Sequence, residues 1–226
     1  MFHDFLNLFY PGICHICENI LINNERVICA NCRHELPVTN FPLDNDNPIQ
    51  KVFYGRVKLE YATSLLFFSK KGNVQKLIHE LKYRGHREIS EFLGLWMGAL
   101  LADANLGSQI EAVIPVPLHK KKLKSRGFNQ VEDFGREIAR SLDVPYFDNV
   151  LLKKSFTTTQ TFKARLSRWG NIEETFVIAN PQHISNKHVL LVDDIITTGA
   201  TLEACSKVLK EAGGVKLSIA SMAIAI

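Results

Sequence analysis

Val189-Leu190-Leu191-Val192 is a run of four apolar residues that ends in two acids, Asp193 and Asp194. Ile195-Ile196-Thr197-Thr198-Gly199-Ala200-Thr201 follows. Leu202, Cys205, Val208, Leu209 and Ala212 then recur at helical spacing until Gly213-Gly214. An uninterrupted apolar strand suits a sheet covered on both faces, which points to a parallel α/β fold. In such folds ligands bind outside the carboxyl ends of the strands, where these acids and threonines stand. Backbone N–H groups at the start of the helix opening near Thr201 favour an anion, and Gly199 lets the backbone approach it closely. Thr197, Thr198 and Thr201 add hydroxyl donors. Two carboxylates one strand-end away can accept hydrogen bonds from two vicinal hydroxyls. Phosphate at one end and a diol at the other describe a ribose 5-phosphate.

Alternation of strands and helices extends through most of the chain. Ala62 to Phe68 reads as a strand, and Val74, Leu77, Ile78 and Leu81 mark one face of a helix. Ser90 is placed to cap a second helix carrying Phe92, Leu93, Trp96, Ala99 and Leu100. Ala112 to Val116 is a strand, and Val131, Phe134, Ile138 and Leu142 define a helix. Thr175 to Ile178 and Leu217 to Ile226 read as further strands. The loop after Val116 carries Lys120, Lys121, Lys122, Lys124 and Arg126 and no acid, a charge suited to a pyrophosphate. A third basic segment runs from Lys153 to Arg168.

The N-terminal region differs in kind. Residues 1–50 hold two basic and six acidic residues, so the rest of this +4 chain carries about +8. Cys14-x2-Cys17-x11-Cys29-x2-Cys32 contains four of the five cysteines. Two CxxC turns can complete a tetrahedral four-thiolate shell for structural Zn2+, a closed shell with no open position for catalysis. Leu21 to Ile28 reads as a hairpin turning at Asn23-Asn24 that brings the two turns together. A thioredoxin-like pair should follow a strand and open a helix, and neither pair is expected to do so. Two disulfides would need an oxidising compartment, and no secretory signal is read at the start. His15 reads as an exposed residue of the first turn, with a Cys/His exchange in the metal shell as the alternative. The turn-rich stretch from Pro37 to Pro48 reads as a linker, dividing the chain into 1–48 and 49–226. No apolar run reaches the roughly 20 residues of a membrane span, and a reducing, cytoplasmic setting is the expectation.

Residues 189–201 resemble the phosphoribosyl pyrophosphate (PRPP) motif of type I phosphoribosyltransferases at all thirteen positions. The resemblance implies that Asp193 and Asp194 hold the ribose 2- and 3-hydroxyls, and that Thr197, Thr198, Gly199, Ala200 and Thr201 hold the 5-phosphate. A receiver domain is ruled out because no Asp follows Asp194. A Walker A loop and a dinucleotide fingerprint are ruled out because the chain has neither Gly-Lys-Ser/Thr nor Gly-x-Gly.

Further segments extend the resemblance to nearly the whole chain. They are the four-cysteine ribbon, Leu81-Lys82-Tyr83-Arg84-Gly85, Ile114-Pro115-Val116-Pro117-Leu118, Arg126-Gly127-Phe128-Asn129-Gln130, and Gln160 with Arg165, Arg168 and Asn171. Together they are similar to the ComF family, a phosphoribosyltransferase-like group named for bacterial DNA uptake. Lys163 departs from a usually apolar position, and Lys154 stands where Arg is expected. The implied fold is a type I phosphoribosyltransferase sheet with helices on both faces, preceded by a small zinc ribbon. In such enzymes a mobile loop, here around Ser155 to Thr161, closes over the pyrophosphate and excludes water.

Two functional readings follow. In the first, Mg2+ neutralises the pyrophosphate and an unknown acceptor takes the ribosyl group. Arg126, Lys82, Arg84 and Arg165 would stabilise the departing pyrophosphate, with Arg126 and Gly127 among the PRPP contacts. Glutaminase activity is not expected, because Phe2 stands where a nucleophilic Cys would be needed. In the second reading the chain is a non-enzymatic module that keeps a PRPP pocket and binds single-stranded DNA or a helicase-like partner. Its basic loops would meet phosphates, and Phe128, Phe156, Phe162 and Trp169 would stack on bases.

Overall fold

A computed structural model describes residues 11–22, 24–41, 47–154 and 176–225. Its centre is a four-stranded parallel sheet of β1 (Ala62–Phe67), β2 (Ala112–Pro115), β5 (His188–Ile196) and β6 (Lys216–Ile224), ordered β1-β6-β5-β2. Ala112 pairs with Val189, Leu191 with Ile219, and Ala62 with Ile219. The longest strands, β5 and β6, lie inside and the shorter β1 and β2 at the edges. This places the most continuously apolar segments where both faces are covered.

The helices divide between the faces by strand parity. Leu190, Val192 and Val113 join one core with α3 (Asn73–His79), α4 (Glu88–Asp103) and α6 (Glu132–Leu142). Val189, Leu191 and Ile114 join the other with α2 (Pro48–Lys51) and α7 (Ala200–Lys210). Cys205 is fully buried in that second core, as its place on the apolar face predicts. The second face is completed by β3 (Leu151–Lys153) and β4 (Phe176–Ile178), which pair antiparallel with each other. The Phe176–Ile178 segment is therefore no strand of the main sheet.

Several expectations are corrected by packing. Ser90 does not cap its own helix. It is buried inside α4, donates to Gln130 O at 2.6 Å and accepts from Phe134 N at 2.9 Å, so it serves the first turn of α6. The core face of α4 is Ile89, Leu93, Met97 and Leu101 with Ser90, Gly94 and Gly98, while Ala99 and Leu100 are exposed. Small residues are needed on that face: a Cβ at Gly94 would lie 2.7 Å from Phe134 O. The basic stretch after Val116 is a helix, α5 (Lys120–Arg126), capped by His119 Nδ1 accepting from Lys121 N at 3.1 Å. Gly127, at φ 82°, ends it in the left-handed region that favours glycine.

Asn23 of the expected turn lies outside the described residues, and among the described ones no strand pair joins the two cysteine pairs. An antiparallel bridge joins Ile13 and Ile20 around the first turn, and the second pair opens α1 (Ala30–His34), with Cys29 as N-cap. The second CxxC thus does open a helix, against expectation, but among the described residues no strand precedes it. This ribbon is continuous with the first core through Cys14, Ile16, Val27, Ile28, Cys32 and Leu36. The Arg33 guanidinium lies over Phe92 and Trp96 of α4, 5.7 and 5.0 Å from the ring centroids. Residues after the ribbon are also tied down: Thr39 N donates to Leu65 O at 3.0 Å and Phe67 N to Pro37 O at 2.8 Å.

Candidate functional site

β5 runs through both acids to Ile196, so Asp193 and Asp194 lie within its last turn of pleat, half-buried. Asp193 Oδ1 accepts from Asp194 N at 2.8 Å, and Asp194 Oδ1 from Ile195 N at 2.6 Å. These local bonds hold one oxygen of each carboxylate. Asp194 shares the parity of Leu190 and Val192, the face on which α3 packs.

Beyond His79 the α3 helix widens into a π-turn, Glu80–Arg84, closed by Gly85 at φ 78°. Single π-turns recur at functional sites because the extra residue re-aims the side chains that leave it. Here Lys82 Nζ reaches Asp194 Oδ2 at 2.5 Å. Its neighbour Tyr83 stands 5.5 Å beneath the Arg126 guanidinium, which donates through Nη1 to Gln130 Oε1 at 2.5 Å. Lys82, Tyr83, Gly85, Lys122, Ser125 and Arg126 line a cleft of about 380 Å³ with no acid in its wall. Such a wall suits a multiply charged anion.

The turn after β5 is built for close approach. Thr197 and Thr198 are exposed, Gly199 is buried at φ 74°, and Ala200 and Thr201 open α7. The helix thus starts one residue earlier than read from sequence. A Cβ at Gly199 would lie 2.8 Å from Phe53 Cε1 and 3.0 Å from Val52 Cγ1. Thr198 Oγ1 accepts from Ala200 N at 3.4 Å, satisfying the first N–H of the helix end.

Arg56, which no sequence motif singled out, braces this turn. It donates to Val52 O at 3.0 Å, Thr198 O at 2.7 Å and Glu203 Oε2 at 2.8 Å. Lys207 and Arg56 together hold the Glu203 carboxyl below its ordinary range. A lone arginine 142 residues upstream of the carbonyl it meets carries no local pattern to betray its role.

Lys82 is thus brought to Asp194, and Arg126 shares a cleft wall with Lys82. Arg84 is exposed and lies outside the cleft wall, and Gly127 serves as the turn that ends α5. Arg165, with Phe156, Phe162 and Trp169, falls outside the described residues. Phe128 is buried at 7% exposure with the Arg87 guanidinium 5.2 Å over its ring, so it offers no face for a base.

In the ribbon, Cys14, Cys17, Cys29 and Cys32 bring one sulfur each within 4.8 Å of the others. All four are free thiols, and Cys17 Sγ and Cys29 Sγ are 3.8 Å apart. Tetrahedral arms of about 2.3 Å give sulfur–sulfur edges of about 3.8 Å, so the residues fit a four-thiolate zinc shell. Burial pushes the Cys14 thiol up, but N–H groups of Cys17, Cys29 and Ile16 outweigh it and bring it down to about 7. Burial and neighbouring thiols push Cys32 well up. No helix among the described residues is long and apolar enough to cross a membrane.

The phosphoribosyl transferase domain family matches residues 132–225. Competence protein F of Haemophilus influenzae is 31% identical over 65% of this chain and 66% of its own length. DNA utilization protein YhgH of Escherichia coli K12 is 27% identical over 95% of this chain and 91% of its own. Competence protein ComFC of Streptococcus pneumoniae is 38% identical over 44% of this chain and 42% of its own.

Proposed function

Because the chain belongs to the ComF family of type I phosphoribosyltransferase-like proteins, we propose that it binds PRPP with Mg2+ at the end of β5 and acts in the uptake and use of DNA. The meeting of Lys82 with Asp194 at the end of β5, with Lys82 and Arg126 lining one cleft, supports this reading. Relatives named for competence and DNA utilization support the biological setting.

Asp193 and Asp194 take the ribose hydroxyls. Thr197 to Thr201 take the 5-phosphate with hydroxyls and helix-start N–H groups, Gly199 permitting the approach. The Lys82–Asp194 ion pair occupies a carboxylate that the diol needs. Sugar binding therefore breaks that pair and frees the Lys82 ammonium for the pyrophosphate beside Arg126 and Gly127. The carboxylate-rich strand end suits Mg2+, which when bound with PRPP supplies neutralisation of the pyrophosphate charge. The chain's own residues orient the sugar and screen the charge that develops on the leaving group. Arg84 and Arg165 are proposed to join that screening as the site closes. The ribbon is assigned a structural zinc held by Cys14, Cys17, Cys29 and Cys32, and the protein a cytoplasmic setting.

The test is thermal unfolding with PRPP and Mg2+. Tm is expected to rise, and Asp193→Asn with Asp194→Asn is expected to erase the rise. Acceptor screening for pyrophosphate release then asks whether transfer occurs. A second reading, in which the chain binds single-stranded DNA or a helicase-like partner without catalysis, is favoured by the exposure of Lys120 to Ser125 on α5. Steeply salt-dependent DNA binding with no response to PRPP would replace the first reading with this one.

A further inference from the structure

A second group of metal-ligating side chains lies apart from both sites. His15 comes from the ribbon's first turn, Glu80 from the start of the π-turn, His86 from just after Gly85, and Glu88 from the first turn of α4. One donor atom each from His15, Glu80 and His86 lies within 4.8 Å of the other two, and all three residues are half-buried. Glu88 Oε1 sits between the imidazoles, 3.1 Å from His15 Nε2 and 2.9 Å from His86 Nδ1. Glu80 Oε2 is 3.6 Å from His86 Nε2, and the two imidazole rings are 4.2 Å apart.

We propose that His15, Glu80 and His86, with Glu88 beside them, form a second divalent-metal site of the Zn2+ class between the ribbon and the sheet domain. Two imidazoles with carboxylates are the donor set of a borderline ion such as Zn2+, whereas Mg2+ and Ca2+ prefer all-oxygen shells. Arms of about 2.0–2.2 Å bring donors to about 3.4 Å from one another, so binding draws this group in by roughly an ångström. Small rotations of half-buried side chains supply that. A simple hydrogen-bonded bridge would satisfy the histidines through Glu88 alone. That bridge leaves out Glu80, whose Oε2 faces His86 and whose Oε1 lies 3.7 Å from His79 Nδ1.

The consequence is a link between the two halves of the molecule. The π-turn that offers Glu80 to the ribbon offers Lys82 to Asp194. An ion held by His15 and Glu80 ties the first knuckle to the segment that walls the basic cleft. The four-thiolate centre is a separate site, because its ligands are Cys14, Cys17, Cys29 and Cys32.

The experiment loads the full-length chain with Zn2+, and in parallel Co2+, and counts ions per chain by elemental analysis. The thiolate-to-cobalt charge-transfer band reports the four-cysteine centre alone, so failure of that centre is seen as loss of the band. Two ions per chain are expected, falling to one in His86→Ala and in Glu80→Gln with the thiolate band retained. One ion per wild-type chain with the thiolate band present overturns the proposal, as does retention of two ions in both variants. If the thiolate band is absent, one ion that is lost in both variants still supports it, and no ion refutes it.

Discussion

Gly199 carries two demands at once. Its φ of 74° is costly for any residue with a Cβ, and that Cβ would press on Phe53 and Val52. Gly199→Ala is expected to cost about 2 kcal/mol in denaturant unfolding, and to lose the Tm rise with PRPP because the turn proposed to hold the 5-phosphate is displaced. Ser90→Ala tests a different residue. It leaves the Phe134 N–H and Gln130 carbonyl without their buried partner, at about 1–3 kcal/mol, and affects stability rather than PRPP binding.

His188, at the opposite end of β5, predicts a pH dependence. Burial holds its imidazole below the ordinary 6.5, helped by Lys216 and opposed by Glu60 and Glu111, while Nε2 meets Ser218 Oγ at 2.7 Å. The unfolded chain takes up this proton first as pH falls. Its contribution is therefore complete above about pH 6.5 and is lost as pH drops toward the folded value. Denaturant titrations from about pH 7 to about pH 5 should show a shallower decline in His188→Gln than in the wild type.

At the scale of elements, the pair α4 and α6 is set by its glycines. Gly94 faces the Phe134 carbonyl, and a Cβ at Gly98 would lie 2.5 Å from Ser141 Oγ. Gly94→Ala is expected to part these helices and cost about 1–3 kcal/mol, measured by unfolding. Residues 189–201 were legible as strand, acids, turn and helix because burial on both faces forces an unbroken apolar run, and the turn after β5 needs its glycine. The π-turn was not legible, since its residues continue the apolar spacing of α3 and nothing local marks the extra one. Lys82 was singled out, but its meeting with Asp194 depends on that turn. The basic segment 120–126 looked like a loop because its positive charges hide a helix that only His119 and Gly127 delimit. Arg56 was missed because its partners are remote in sequence.

At the scale of the whole molecule, the ribbon shares the first core. Structural zinc contributes on the order of 10–16 kcal/mol of apparent folding free energy in small domains. Stripping the zinc proposed for the ribbon with a chelator should therefore do more than unfold a small appendage. Ile16, Val27, Ile28 and Leu36 would leave the cluster that holds α3 and α4. The expected outcome is a lower Tm for the whole chain, seen by calorimetry, rather than a separate low-temperature transition with the main one unmoved.

The strip formed by residues 37–39 has one more consequence. It lies against β1, an edge strand, where Val38 bridges Leu66 and Thr39 Oγ1 donates to Ser64 O at 2.6 Å. An uncovered edge strand is a template for pairing with another chain. A protein shortened to residue 49 would keep every residue of the β5 site and yet bare that row of backbone groups. Its fate would be decided by solubility: light scattering should reveal sticky, strand-exchanging particles where the full chain stays dispersed. The stretch between the two halves thus acts as a sheath, guarding the sheet from its own copies.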